Sequence, residues 1–401
     1  MSTSSSHFTT LIDTKYAAEK SIVLRYRNAF TFGAPEQDRQ FKELLAKTSI
    51  QEGARIFSFL NYKGVEIYLL DETSLMYTRT LKSIDGCVTT AKCKQAGLDK
   101  VVLETGGNTG SALTAYGTRA GLETYCFIPH ENIDLLESKF FASPRAHLIS
   151  VEDPGMVKKA THLFEALFRL KHIPETTWRY EASRFRGLFI LEHMLEKMKF
   201  DWIAQTISAA FGPIGIYWAF KNRGKGLGRT PRFLGVQQEA NCPMYRAWKA
   251  KRQTLRALKV DSTSKLLTRV MYDVKPHTYG TYKDLLDVLQ DSDGKITTIN
   301  RREFAELLEM EFDGVGVRGL LRSHGIDIGD QVVEKTGLIA LAGALKAIDK
   351  GEIPKGKRVL SCLTSGAHFA DGQAKPEFTI SSLHSMMVDY GRQLALGATH
   401  G

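Results

Sequence analysis

From residue 100 onward, short apolar runs alternate with stretches of helical composition, and the short connections between them demand a layered α/β fold. Runs at 100–104, 124–129 and 147–151 read as strands, because brief apolar and β-branched segments bounded by turn formers suit a strand covered on both faces. Between and after them the spacing predicts helices over 111–120, 133–141 and 156–170, the first closed by Gly121. Parallel strands joined by helices need right-handed crossovers, which cover a sheet on both faces. The pattern resumes with a helix over 188–198, a strand over 202–210, a helix ending near 220 and a strand over 233–237. Helices over 281–290, 302–310 and 337–349, with strands at 295–300 and 358–364, complete it. The fold class is α/β.

A chain of 401 residues is long for one core, so two domains are expected. Hydrophobic residues at 43% and charged residues at 24% are those of a soluble globular protein. No apolar run approaches a membrane span, and the longest, 207–220, is broken by Gly212, Pro213 and Gly215. The serine-rich start has neither a basic nor an apolar region, so residues 1–12 read as a disordered tail and the location as cytoplasmic. Five cysteines match neither a zinc site nor a disulfide framework, and the eleven histidines show no paired ligand spacing. No metal site is expected. The net charge of +10 is spread along the chain without an aromatic-interleaved basic motif, so nucleic acid is not an expected partner. The basic balance suits anionic small molecules instead.

Three segments carry candidate chemistry, and each is a weak signal by itself. Leu103-Glu-Thr-Gly-Gly-Asn-Thr-Gly110 is a glycine-rich turn between a strand and a helix, a place where backbone amides approach a ligand. It lacks the dinucleotide spacing Gly-x-Gly-x-x-Gly. Phe211-Gly-Pro-Ile-Gly-Ile216 is a second such turn, and Thr78-Arg-Thr-Leu-Lys82 precedes the first α/β unit. The order of the three, followed by Leu363-Thr-Ser-Gly366, is far more specific than any one of them.

That order resembles the fold-type II pyridoxal-phosphate enzymes, a group that includes threonine synthase, cysteine synthase and the tryptophan synthase β chain. The resemblance spans roughly residues 68–371. Lys82-Ser-Ile-Asp-Gly86 lacks the Lys-Asp-Arg usual in threonine synthases, and Cys242-Pro-Met-Tyr-Arg-Ala-Trp248 and Asp291-Ser-Asp-Gly294 look closest to cysteate synthase. The resemblance implies two domains, each a mostly parallel sheet flanked by helices, with pyridoxal 5′-phosphate in the cleft between them. Residues 13–85 plus 177–401 would form the large cofactor-binding domain, and 86–176 a small mobile one. A homodimer is expected.

By the same resemblance, Lys82 would hold the cofactor as an imine and shuttle the substrate's α-proton, for which its amine must be neutral. Asn108 would bond the ring hydroxyl. The amides of Gly212, Pro213, Ile214, Gly215 and Ile216 would cup the phosphate, although the proline and isoleucine there depart from the usual small residues. Thr364 or Ser365 would face the pyridine nitrogen. Thr105, Gly106, Gly107 and Thr109 would surround the substrate carboxylate, with glycine where the family usually has a serine. Arg79, Arg184 and Arg186 either bind an anionic group or are solvated. Glu334 is either structural or near the cofactor.

The reaction so implied is β-replacement through an aminoacrylate, on an amino acid such as O-phosphoserine, with sulfite or a thiol adding. Two alternatives stay open: threonine synthase-like chemistry on a homoserine phosphate, and a non-catalytic regulator that binds an anionic ligand.

Overall fold

The computed structural model describes residues 8–223, 228–256, 265–271, 276–328, 335–365 and 372–385, and Glu334 lies outside them. Two sheets organise the chain. The larger has six strands in the order β1-β2-β12-β7-β8-β9: β1 is Arg55–Tyr62, β2 Val65–Asp71, β7 Trp202–Thr206, β8 Arg232–Gln238, β9 Lys295–Ile299 and β12 Arg358–Leu363. Only β1 runs antiparallel, paired to β2; the others are parallel. The smaller sheet is wholly parallel, in the order β13-β5-β4-β3-β6. Its strands are β3 (Lys100–Glu104), β4 (Glu123–Pro129), β5 (Ala146–Val151), β6 (Lys171–His172) and β13 (Phe378–Ile380). A separate two-strand ribbon joins β10 (Glu311–Phe312) to β11 (Val315–Gly316).

The inner strands β3, β7, β8 and β12 are buried along nearly their whole length, as covered parallel sheets require. The cover comes from six helices that matter below: α1 (Lys82–Gln95), α2 (Asn108–Arg119), α3 (Val157–Phe168), α4 (Thr176–Glu196), α5 (Phe211–Arg223) and α6 (Thr336–Asp349). Apolar clusters line both faces of each sheet. The pair α4 and α5 packs without side-chain spacers at Gly187 and Gly215. A Cβ on Gly215 would lie 2.5 Å from the Tyr180 carbonyl oxygen, closer than real Cβ atoms come. Among the described residues no helix is long and apolar enough to cross a membrane.

Several expectations change. The helix expected over 133–141 is two 3-10 turns, His130–Leu135 and Ser138–Phe141, split where Glu137 bridges Gln373. The strand expected over 202–210 stops at Thr206, since Ala210 takes a left-handed backbone to enter α5. The helix expected over 188–198 is the second half of α4. Of the stretch 1–12 expected as a tail, residues 8–12 are described, and Phe8 is buried in the core. Finally, β13 pairs with β5, so the small sheet draws a strand from the 177–401 stretch assigned to the large domain.

Candidate active site

The carboxyl ends of β3, β7 and β12 and the N-termini of α1, α2 and α5 meet at one cleft of about 400 Å³. A cleft at the carboxyl edge of parallel strands is where α/β folds place ligands. Lys82, the first residue of α1, reaches into it, and its Nζ lies 2.8 Å from Asp85 Oδ2, one helical turn on. Asp85 is buried. Burial holds the Lys82 amine below the usual lysine range, with the positive charges of Arg179 and Arg186 helping and Asp85 opposing. This is the direction a nucleophilic amine needs.

Arg179, on the first turn of α4, closes the opposite side. Its Nη2 donates to Thr109 Oγ1 (3.3 Å), it lies 3.9 Å from Asp85 Oδ2, and its guanidinium stacks 3.8 Å over the Phe211 ring. Its Nε is buried with no protein partner. A cation held by packing, with a donor to spare, suits an anion in the cleft.

The loop after β3 builds the wall. Thr105 Oγ1 accepts from the Gly107 and Gly110 amides, both at 2.9 Å, so this hydroxyl ties the loop to the head of α2. Gly107 has φ +149, and a Cβ there would lie 3.0 Å from Val270 Cγ1, which is why glycine stands at this position. Asn108, Gly106 and Thr109 line the cleft with it. Asn132 donates to the Gly106 carbonyl (3.0 Å), while its Oδ1 is buried and unpartnered.

The second glycine turn lies differently from expectation. Ser208, Ala209, Ala210, Phe211 and Gly212 line the cleft, but Pro213, Ile214, Gly215 and Ile216 belong to α5 and do not. Pro213 has no N–H, the Ile214 amide bonds the Ala210 carbonyl, and Ile214 and Ile216 are core residues. The amides free to meet an anion are therefore those that open the helix, Phe211 and Gly212.

Thr364, after β12, lines the cleft, and its Oγ1 is buried without a partner. The Ser365 hydroxyl is likewise unpartnered, but this residue lies behind the lining, bridged to Thr80. The three arginines named from the sequence are elsewhere. Arg79 sits in a left-handed backbone between buried Thr78 and Thr80, and Arg184 stacks over Phe30. Arg186 is fully buried in an ion pair with Glu72 and donates to Gln205 at 3.0 Å. Arg179, Asp85, Asn132 and Ser208 were not among the sequence candidates. Arg179 and Arg186 are seven residues apart on one stripe of α4, a spacing visible once the helix is started at Thr176.

Comparison with known proteins finds similarity over most of the chain. The family described as pyridoxal-phosphate dependent enzyme matches residues 54–365. Cysteate synthase of Methanosarcina mazei is 25% identical over 338 residues, 80% of this chain and 78% of that protein. Threonine synthase of Methanosarcina acetivorans is 23% identical over 317 residues, 77% of this chain and 72% of that one. Maize serine racemase superposes with a TM-score of 0.58 at 15% identity, covering 84% of this chain and 96% of the other. Threonine deaminase from Solanum lycopersicum also gives 0.58, at 14% identity, over 85% of this chain and 87% of the other.

Proposed function

The chain belongs to the pyridoxal-phosphate-dependent enzyme family, and from that premise we propose that it performs β-replacement on an amino acid with an anionic β-substituent, such as O-phosphoserine, in the manner of cysteate synthase. It is an enzyme of the lyase and transferase type, and its cofactor is pyridoxal 5′-phosphate. The observation that carries the finer reading is Arg179, a buried cation with an unpartnered Nε beside Lys82. Its ion pair with Asp85 is long, at 3.9 Å, and leaves the Nε donor for an anionic substituent.

The residues present fit the cofactor. The Lys82 amine stands in the cleft at the head of α1. The unpartnered Thr364 hydroxyl suits a ring nitrogen, Asn108 suits a ring hydroxyl, and the opening amides of α5 with Ser208 suit a phosphate. When bound, the cofactor supplies an electron sink that acidifies the α-carbon of an amino acid. The protein's part is then proton handling and orientation. Lys82, with its pKa depressed, would take the α-proton and return it, and Asp85 would hold the amine in position. Arg179 would hold the anionic substituent as it departs and receive an anionic nucleophile such as sulfite. The Gly106 and Thr109 amides would orient the carboxylate, and closure of the small sheet's unit over the cleft would exclude water.

The test is product analysis of purified holoprotein with O-phosphoserine and sulfite, following phosphate release and cysteate by mass spectrometry. Wild type should yield both, Lys82→Ala neither, and Arg179→Gln should raise the KM for phosphoserine at least about tenfold, as for one charge-assisted contact. Phosphate release from O-phosphohomoserine alone would reassign the enzyme to threonine synthase-like chemistry. Release from neither compound would sink the proposal.

A further inference from the structure

We propose that His162, Glu165 and His172 form a divalent transition-metal site, of the kind zinc occupies, at the rim of the cleft. His162 and Glu165 are one turn apart on α3, so they share a face. The chain then reverses at Arg169, which adopts a left-handed backbone (φ 51), and returns His172 on β6 to the same face. His162 Nδ1 lies 3.0 Å and His172 Nδ1 4.0 Å from Glu165 Oε2. The two imidazole centroids are 5.0 Å apart at 87°, and the three candidate ligand atoms all lie within 4.8 Å of one another. Ligand atoms around a tetrahedral zinc sit roughly 3.3 Å apart. Small rotations of partly exposed side chains close that difference.

The backbone beneath these side chains is already fixed. Phe164 is buried in the core, and β6 pairs with β3 through Val101↔Lys171 and Val102↔His172. A metal therefore finds a formed site and need not organise one. Among the described residues this is the one grouping of histidine, cysteine and carboxylate ligands with such spacing. Two imidazole nitrogens and a single carboxylate favour zinc, cobalt, nickel or copper over the hard, oxygen-seeking calcium and magnesium. Three protein ligands leave a position for water or an anion. Lys158 and Lys171 stand nearby and oppose any divalent cation, so binding must rest on the bonds to the imidazole nitrogens. His172 also lines the cleft, so a metal here would staple α3 to β6 at its mouth. The sequence carries the signal as His162-x-x-Glu165 with His172 ten residues after the first histidine, a spacing that matches no common zinc motif and so gave no expectation of a metal.

The five cysteines do not compete, as all are buried. Tag-free holoprotein is dialysed against Zn²⁺ and its metal content measured by elemental analysis, alongside His162→Ala, His172→Ala, Glu165→Gln and the exposed-residue control His384→Ala. Circular dichroism confirms that each variant is folded. Wild type and the control should take up one equivalent per chain, and the histidine variants should bind at least about tenfold more weakly. Failure of the wild type to take up stoichiometric zinc overturns the proposal, as does uptake that survives in both His162→Ala and His172→Ala.

Discussion

Replacing Glu72 by Gln should cost about 3–5 kcal/mol, because it strips the counter-ion from a guanidinium that has no water to turn to. Glu72 and Arg186 are both fully buried. Arg186 donates through Nε and Nη2 to the two carboxylate oxygens, the latter at 2.6 Å, and through Nη2 to Gln205 at 3.0 Å. Its Nη1 has no partner and presses on the first turn of α5, where a Cβ on Gly212 would lie 2.7 Å away. Glutamine keeps the shape and one acceptor but loses the charge, so the loss should fall near the lower end, roughly a hundredfold in the folding constant. The assay is urea unfolding followed by tryptophan fluorescence, since Trp202 lies buried in the same sheet. The companion variant Glu72→Leu with Arg186→Met removes both charges at once. It should recover most of the loss, because an apolar pair avoids the desolvation that the ion pair must offset. A Glu72→Gln variant within about 1 kcal/mol of wild type, or a double variant no better than the single, would refute the reasoning.

Three further outcomes are expected. Burial, aided by Lys197, pushes His193 down to about 4, so the unfolded chain takes up a proton near pH 6.5 that the folded one refuses until about 4. Stability is thus lost as the pH falls through that window, and His193→Phe, which keeps the stacking on Phe200, should gain in urea midpoint over wild type as the solution is acidified. Asp85→Asn removes the carboxylate that most raises the Lys82 pKa. The pH profile of cofactor uptake by apoprotein should therefore move to lower pH, and an unmoved profile would exclude Asp85 from positioning the amine. Gly215→Ala should cost about 1–3 kcal/mol in urea unfolding by prising α4 from α5.

The sequence made the two sheets legible where strands are short, apolar and bounded by turns: β3 begins and ends where composition places it, β4, β5 and β12 differ by a residue at one end, and β8 by a residue at each end. The hairpin of β1 and β2 went unread. Its two-residue turn is Lys63-Gly64, with both residues at positive φ, and lysine there does not announce such a turn as asparagine would. Lys82, Asn108 and Thr364 became candidates through the order of their motifs along the chain, and the structure brings all three to one cleft. Arg179 was not, because its meaning comes from where α4 delivers it, and nothing beside it in sequence records Asp85 or Phe211. The reverse error explains Pro213 to Ile216: a glycine turn reads as a ligand cup, while Gly215 is small because Tyr180 and Ser183 press on it.

The pairing of β13 with β5 has a consequence for biosynthesis. Phe378 aligns with Ile149 and Ile380 with Val151, and His147 meets Glu377 across the same edge. A ribosome has made more than two hundred residues between these partners before the edge of the small sheet can be covered. During that interval β5 presents an open, apolar edge of the kind that recruits stray strands. Late closure of so distant a contact slows folding, and a chain that stops short of residue 378 would make its large sheet yet leave that edge bare.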